Sequence, residues 1–338
     1  MKVLVIKRDK IGDLLLATPL LARLKAARPR VETHLLANDY NAWVVARNPH
    51  VDRLWIYRRA RHAGRISFGG AWQSFRQGLS LRRERYDWVI VANGDESPRA
   101  IERGLAVRGA RTVACCADPS KYPGLSDPVK PDIARHEIER MLALLAPMGI
   151  PLPGHHVYPA YELPVESASF ALGWLAERRL APGKYVVLGL GARRAKKQPA
   201  TGQVLAWSAH LKKTWNLDTV FLWTPGKADD PLYPGDDDVA QPVLDARAPQ
   251  IHPFRGPIPE ALGLMWNART NLFPDSGLMH FAAASPGGVL GFFAATDVSP
   301  APAQWGPRGP RADYLEAGES VSELPAELVY ERLAKLLA

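Results

Sequence analysis

The amino-acid sequence predicts an α/β protein with two domains, each built around a parallel β-sheet. Its 338 residues suit two domains of about 160 residues better than one large domain. Short apolar segments alternate with helical patterns, an order that is typical of parallel sheets. Five prolines between Pro147 and Pro164 interrupt this alternation once. We therefore expect domains over residues 1–150 and 165–321, joined by a proline-rich linker over residues 151–164.

The first domain is predicted to open with a strand, a tight loop and a helix. Val3–Ile6 is a short apolar run, Gly12 supplies the turn, and an apolar periodic stretch extends from Leu14 to Ala27. The remaining predicted strands are Thr33–Leu36, Arg53–Ile56, Trp88–Val91 and Arg111–Ala114.

The second domain repeats this organisation, so both are predicted to be Rossmann-like. Helices are predicted from about Thr201, from Pro259 and over Gly277–Ala284. Residues 322–338 are predicted as a closing helix capped by Ser322, and the first domain is one place where its apolar stripe can pack. The predicted strands are Tyr185–Leu190, Thr219–Trp223, Asn271–Phe273 and Gly288–Phe293.

Composition argues against several classes of protein. Apolar residues make up 47% and charged residues 23%, which is typical of globular chains and not of disordered ones. The longest stretch without a charged residue or His, Phe281–Thr296, has 16 residues, so no transmembrane helix is expected. The apolar run after Met1 is too short for a signal peptide, which predicts a cytoplasmic protein. Cys115 and Cys116 are adjacent and lack metal-ligand spacing, so we expect them to be reduced.

Positive charge is concentrated in the first half of the chain. Residues 1–150 carry 26 Lys and Arg against 15 Asp and Glu, whereas residues 151–338 carry 17 against 19. Nine arginines lie within residues 53–88, interleaved with aromatic side chains. This asymmetry indicates that the first domain faces an anionic partner, which could be nucleic acid, a membrane surface or an acidic glycolipid.

The loop after the first predicted strand carries a candidate general base. Gly12 permits a close backbone approach, and Asp13 follows it at a predicted helix N-terminus. There the Asp13 carboxylate either caps the helix or accepts a proton from a sugar hydroxyl.

A second loop combines glycine with cations. Gly191 follows a predicted strand, and Lys196 and Lys197 come soon after it. Glycine lets the backbone approach a diphosphate, and Lys neutralises the charge that grows as the phosphate leaves. The alternative interpretation is an ordinary solvated basic loop.

A third loop places an acid, a hydroxyl and a glycine between a predicted strand and a helix. The backbone amides of Ser276 and Gly277, with the Ser276 hydroxyl, suit an anion. Asp275 can accept hydrogen bonds from sugar hydroxyls. His280, one turn further, is either a functional acid or a packing residue.

In combination and in order, these loops resemble glycosyltransferase family 9, the ADP-heptose:lipopolysaccharide heptosyltransferases. The similarity extends from residue 2 to about residue 310. Gln198 stands where the family usually has Trp, and Ser276 where it usually has Thr. The matching segments are Lys7 with Gly12-Asp13 and Thr18-Pro19, then Lys196-Lys197-Gln198-Pro199, then Asp275-Ser276-Gly277 with His280.

The resemblance implies a GT-B fold, in which two Rossmann-like domains face a central cleft. It also implies an inverting transfer from ADP-L-glycero-D-manno-heptose to the inner core of lipopolysaccharide, with no catalytic metal and no cofactor besides the donor. Asp13 would be the general base, and Lys196 would stabilise the departing ADP. An acidic nucleotide contact is expected within residues 224–238, whose five Asp leave its identity open. The donor-binding residues implied are Gly12, Gly191, Lys197, Asp275, Ser276, Gly277 and His280.

The resemblance also supplies an acidic partner for the arginine-rich stretch. On this interpretation the enzyme works at the cytoplasmic face of the inner membrane, in peripheral contact with it, and the arginine-rich stretch faces the lipopolysaccharide core. Arg82, Arg83 and Arg85 either share that role or form a solvated basic face. The best candidates for acceptor contacts are Arg58, Arg59, Arg61 and Arg65.

Three alternatives remain open from the sequence. A transferase of the same fold could use another nucleotide sugar or another glycan acceptor, such as O-antigen or capsule. A nucleic-acid-binding protein would explain the basic pI of about 9.6, but it leaves Asp13 and Asp275 without a role. A catalytically inactive sugar-binding relative is less favoured, because Asp13 is intact.

Overall fold

A computed structural model describes residues 1–58, 61–62, 65–66, 68–191, 194–227, 229, 235–297 and 301–338, with backbone alone at 61–62, 65–66, 68–71 and 73–74. The chain divides into two compact units, Met1–Tyr161 and Glu162–Ala338. Between Met148 and Val165 the described chain forms neither helix nor strand, as expected for so many prolines. None of the helices that the structure describes has the length and apolarity needed to cross a bilayer.

The first unit is built on a parallel sheet. Its strands are β1 (Lys2–Ile6), β2 (Glu32–Asn38), β3 (Arg53–Tyr57), β4 (Arg61–His62), β5 (Arg65–Ile66), β6 (Trp88–Val91), β7 (Arg111–Cys115) and β8 (Asp127–Val129). Its helices are α1 (Ile11–Leu15), α2 (Thr18–Ala27), α3 (Phe68–Arg83), α4 (Pro98–Val107) and α5 (Glu137–Ala143). Among the described residues, six strands form the sheet in the order β3-β2-β1-β6-β7-β8, and β4 and β5 form a separate antiparallel pair.

The second unit has the same design. Its strands are β9 (Tyr185–Gly189), β10 (Asp218–Leu222), β11 (Ile251–Phe254), β12 (Thr270–Pro274), β13 (Val289–Phe293) and β14 (Ala312–Glu316). Its helices are α6 (Val165–Glu177), α7 (Thr201–Trp215), α8 (Asp237–Asp245), α9 (Ile258–Asn267), α10 (Gly277–Ala284), α11 (Pro302–Trp305) and α12 (Ala326–Leu337). In the described part, six parallel strands follow the order β11-β10-β9-β12-β13-β14, so the predicted α/β class is confirmed.

The central strands read as continuous apolar runs because both faces of a parallel sheet are buried. In β1, the side chains of Val3, Leu4 and Val5 are all fully buried. In β9, every residue from Tyr185 to Gly189 is buried. This burial holds the carboxyl ends of these strands, and the loops that follow them, in fixed positions.

The helix predicted from Leu14 to Ala27 is two helices. Pro19 lies in the first turn of α2 and has no N–H to donate to the carbonyl of Leu15. The Thr18 hydroxyl donates to that carbonyl instead, at 2.8 Å. The periodicity of apolar residues continues through the break, which is why the sequence predicted a single helix.

The closing helix also differs from its prediction. Ser322 lies in a short 3-10 turn, Val321–Glu323. It does not cap a helix: its amide donates a hydrogen bond to the Ser320 side chain, which caps the turn. Helix α12 starts only at Ala326. The helix packs against α7, β13 and β14 of its own unit, where Val329 and Leu333 are fully buried. Its apolar stripe therefore contributes to the core of the second unit.

Each sheet reverses its winding direction once. In the first unit the strand order runs outward from β1 to β2 on one side and to β6 on the other. In the second unit it runs from β9 to β10 on one side and to β12 on the other. Open α/β sheets bind ligands beside the carboxyl ends of the strands at such switch points. The loops after β1, β6, β9 and β12 are therefore the expected positions of a ligand-binding site.

Candidate functional site

Asp13 lies on the loop and helix that follow β1. It is the third residue of α1, and its Oδ2 accepts a hydrogen bond from the Lys10 amide at 2.9 Å. Within the described chain no other hydrogen bond to this carboxylate is formed, so its second oxygen is left for another partner. The capping interpretation and the general-base interpretation are thus compatible, because they use different oxygens.

A buried ion network lies beneath this loop. The Lys7 amine is 3.1 Å from Asp9 Oδ2 and 3.5 Å from Glu137 Oε1, and Lys7 and Glu137 are nearly inaccessible to solvent. Arg140 on α5 lies 3.1 Å from Glu137 and also pairs with Asp95. The Gly94 amide, in the loop after β6, donates to Glu137 at 3.1 Å. The network therefore joins the loops of both switch-point strands to α5.

Electrostatics within the network keep Lys7 charged. Burial lowers the pKa of Lys7, but Asp9, Glu137 and Asp13 together raise it above its ordinary value. Burial raises the pKa of Glu137, although Lys7 and Arg140 act in the opposite direction. The result is a fixed cation close to the Asp13 carboxylate.

The second unit brings Lys197 and Asp275 together. Lys197 Nζ lies 2.5 Å from Asp275 Oδ2, and the two side chains are only 14% and 10% exposed. Lys196 is instead 55% exposed and pairs at 3.7 Å with Glu319, itself 75% exposed. Both lysines belong to a 3-10 turn, Ala195–Lys197, after β9. The adjacent lysines of the sequence motif therefore have different environments, and Lys197 is the one beside the loop after β12.

Ser276 and Gly277 stand at the start of α10, next to Asp275. The Ser276 hydroxyl is enclosed and forms no hydrogen bond with any described residue. Gly277 is the first residue of α10, and His280 is buried one turn further along. A helix N-terminus with an unsatisfied hydroxyl and a nearby lysine suits a phosphate oxygen. Gly191, on the loop after β9, faces open space: a Cβ there would meet no described atom within 4 Å.

Two of the aspartates in the 224–238 segment accept hydrogen bonds from other residues of the protein. Asp236 is buried and accepts hydrogen bonds from the Thr224 amide at 2.9 Å and from Gln198 Nε2 at 2.5 Å. Burial raises the pKa of Asp236, against the effect of these hydrogen bonds. Asp237 accepts from Trp223 Nε1 and from the Gly226 amide. Gln198, the departure from the family pattern, thus has a structural partner in Asp236.

The acceptor candidates are only partly described. Arg58 is exposed directly after β3. Arg59 lies outside the described residues, and only the backbone of Arg61 and Arg65 is described, in β4 and β5. Whether these arginines converge on a ligand stays a prediction.

The comparisons with known proteins agree with this geometry at the level of the fold. No protein-family model matches the chain, and no curated protein matches it in sequence. A family 9 glycosyl transferase from Veillonella parvula has a TM-score of 0.80 to this structure and 18% identity, covering 99% of this chain and 97% of that one. The fold is that of glycosyltransferase family 9. The expected GT-B class is therefore confirmed.

Two structures from Escherichia coli share this family 9 fold. Heptosyltransferase WaaC with ADP has a TM-score of 0.77 at 17% identity, covering 99% of this chain and all of the other. ADP-heptose LPS heptosyltransferase II has a TM-score of 0.75 at 20% identity, covering 100% and 98%. In this family 9 fold, the three loops selected from the sequence follow β1, β9 and β12, which are the strands at the two switch points.

Proposed function

We propose that the protein is an inverting glycosyltransferase that transfers heptose from ADP-L-glycero-D-manno-heptose to the inner core of lipopolysaccharide. One observation carries the proposal: the side chains suited to deprotonation and to diphosphate binding lie at the switch points of the two sheets. The similar structures include WaaC bound to ADP and to ADP-2-deoxy-2-fluoro heptose, which supports an ADP-sugar donor.

In the proposed reaction the first unit holds the acceptor and supplies the base. The free oxygen of Asp13 takes the proton from an acceptor hydroxyl as that hydroxyl attacks the anomeric carbon of the donor. A new carbon–oxygen bond forms as the bond from the anomeric carbon to the phosphate oxygen breaks, and ADP leaves with the electron pair. Lys7 stays protonated beneath the loop, so a fixed positive charge lies near the reacting carboxylate.

The second unit binds the donor in this proposal. The Ser276 hydroxyl and the amides at the start of α10 bind the diphosphate, and His280 lies on the same helix. A lysine of the 196–197 pair neutralises the charge that develops on ADP. The sequence pattern favours Lys196, whereas the burial of Lys197 beside Asp275 favours Lys197, and we assign the role to Lys197.

The acceptor and location are proposed from charge and exposure. The first 150 residues carry an excess of 11 positive charges, which suits the anionic core of lipopolysaccharide at the cytoplasmic face of the inner membrane. On α3, Trp72 and Phe75 stack at a centroid distance of 5.8 Å and are 62% and 56% exposed. These exposed aromatic side chains, with the exposed Arg76 directly after Phe75, suit a peripheral contact with anionic lipid.

The deciding experiment measures product masses after incubation with core-truncated lipopolysaccharide and with ADP-heptose or UDP-, GDP- and dTDP-sugars in parallel. We expect a mass gain of one heptose with ADP-heptose alone. The matched variant is Asp13→Asn, whose amide oxygen can still accept the Lys10 hydrogen bond. It should keep donor binding and the melting temperature but lose turnover by about 100-fold or more.

Each other outcome points to a named alternative. Transfer from a different nucleotide sugar would keep the proposed roles and change the donor. Near-normal turnover in Asp13→Asn would remove Asp13 as the base. Salt-dependent binding of nucleic acid with no transfer from any donor would favour the binding protein over the enzyme.

A further inference from the structure

Arg8 has an unusual environment for a cation at the carboxyl edge of a sheet. It follows Lys7 directly after β1, and its guanidinium carbon lies 3.7 Å from the centroid of the Tyr57 ring. Its Nε and Nη1 atoms are enclosed, yet they donate no hydrogen bond to any described residue. Enclosed N–H groups without a partner are costly, so each needs an explanation, and a bound water or ion is one such explanation.

A second arginine approaches the same ring. The guanidinium carbon of Arg103, on α4, lies 5.7 Å from the Tyr57 centroid. Burial lowers the pKa of Arg103, and no charged group among the described residues acts against that effect. Two guanidinium groups therefore lie beside the same aromatic ring, which contributes a cation–π attraction to each of them.

The described residues provide no carboxylate partner for either arginine. None of the ion pairs formed between described residues includes Arg8 or Arg103. The arginine-rich stretch beside them cannot supply one either, because residues 53–83 contain no Asp or Glu. An anionic ligand would neutralise the positive charges that no described carboxylate pairs with here.

We propose that Arg8, Tyr57 and Arg103 form a binding site for an oxyanion, a phosphate or carboxylate group carried by a sugar ligand. The Tyr57 ring fixes the plane of the Arg8 guanidinium, whose fork geometry matches two oxygens of such a group. Arg103 supplies the second positive charge.

The site lies on the loop that carries Asp13. The Arg8 carbonyl accepts a hydrogen bond from Asn38 Nδ2 at 2.5 Å, which ties this part of the loop to the end of β2. An anionic group bound here would hold its sugar on the loop of the proposed base. The assignment of that sugar as the acceptor rests on the proposed function, whereas the binding of an oxyanion does not.

The test measures anion binding without any transfer reaction. Binding of inorganic phosphate, glucose 6-phosphate, methyl glucuronide and neutral methyl glucoside is measured by calorimetry or ligand-observed NMR at constant ionic strength, with ADP present to occupy the donor site. We expect the wild type to bind glucose 6-phosphate or methyl glucuronide and not the neutral glycoside. Tighter binding of glucose 6-phosphate would identify the oxyanion as a phosphate, and tighter binding of methyl glucuronide would identify it as a carboxylate.

Matched variants locate the site. Arg8→Gln and Arg103→Gln should each weaken binding of the preferred anion by about 10-fold or more, and Arg8→Lys should recover only part of the loss, because a Lys lacks the fork. Arg30→Gln removes the same charge from an exposed position just before β2, at the opposite edge of the sheet, and should leave binding unchanged.

Unchanged anion affinity in both Arg8→Gln and Arg103→Gln would overturn the inference, as would equal binding of the neutral glycoside. An equal loss in Arg30→Gln would reduce the effect to net charge and overturn it too. If the anion binds as expected but no nucleotide sugar is transferred, the oxyanion site stands and the proposed function fails. If the wild type transfers a sugar but binds no anion at this site, the proposed function stands and the oxyanion site fails.

Discussion

Replacing Lys197 by Met distinguishes the role of Lys197 from that of Lys196 in the 3-10 turn after β9. Lys197 Nζ lies 2.5 Å from Asp275 Oδ2, and both side chains are largely buried. Removing one partner leaves the Asp275 carboxylate without its cation in a poorly solvated position. For a pair that is mostly but not fully buried, we expect a loss of about 2–3 kcal/mol in unfolding free energy. In a unit of this size that corresponds to a fall of roughly 4–12 °C in melting temperature.

The catalytic effect should be larger than the structural one. A cation that meets the departing diphosphate in the transition state is worth about 100- to 1000-fold in turnover. Lys196→Met removes only an exposed pair with Glu319, so we expect at most about 1 kcal/mol of stability loss and turnover close to wild type. Steady-state kinetics with ADP-heptose and calorimetric melting of both variants give the four numbers needed.

A double variant distinguishes a catalytic role for Lys197 from a structural one. Lys197→Met with Asp275→Asn removes both buried charges and should recover much of the melting temperature, while turnover stays low. Recovery of turnover along with stability would show that Lys197 acts only by holding Asp275. A loss in Lys196→Met as large as in Lys197→Met would refute the assignment from burial.

Three further outcomes are expected. Glu137→Leu leaves two buried cations without their shared carboxylate, so the first unit should lose about 3–5 kcal/mol in denaturant unfolding, and a loss under about 1 kcal/mol would contradict the network. A hydrogen bond from Lys2 lowers the pKa of Glu84 below its ordinary value of 4.5, so this carboxylate stabilises the fold above that pH and loses its effect as the pH falls through the lowered value. Unfolding free energy should therefore drop on acidification more steeply in the wild type than in Glu84→Gln, and parallel curves would exclude the effect. Trp72→Ser with Phe75→Ser should weaken co-sedimentation with anionic vesicles by about 10-fold or more, because each aromatic side chain contributes about 1.5–3 kcal/mol when fully buried. Leu172→Ser, at a similarly exposed apolar position of the second unit, should leave co-sedimentation unchanged.

The sequence predicted the central strands well but missed three of the four edge strands of the two large sheets. Trp88–Val91 and the helix Gly277–Ala284 have the predicted bounds, because each is a short buried segment with clear apolar and glycine signals. The strands β8, β11 and β14 were missed, and each lies at the edge of its sheet. Edge strands tolerate proline and polar residues, and β8 and β11 contain Pro128 and Pro253.

The loops of the candidate site were predictable, but their side-chain partners were not. Strand ends followed by glycine and charged residues located Asp13 and Asp275 from local sequence alone. The contact between Lys7 and Glu137 joins residues far apart in the chain, and no local pattern marks it. A motif also cannot tell which of two adjacent lysines in a 3-10 turn faces the protein, because neighbouring side chains there point in different directions.

Each unit completes its lysine-bearing loop with residues from near its own carboxyl end. Glu137 reaches back to Lys7, and the Ser320 hydroxyl donates to the Lys196 carbonyl, 124 residues earlier, at 3.1 Å. Contacts between residues so distant form only after a long loop has closed. During synthesis both loops therefore lack these contacts until nearly all of their unit has left the ribosome. A fragment that ends before Glu137 or before Ser320 contains the recognisable motif but lacks the residues that shape it.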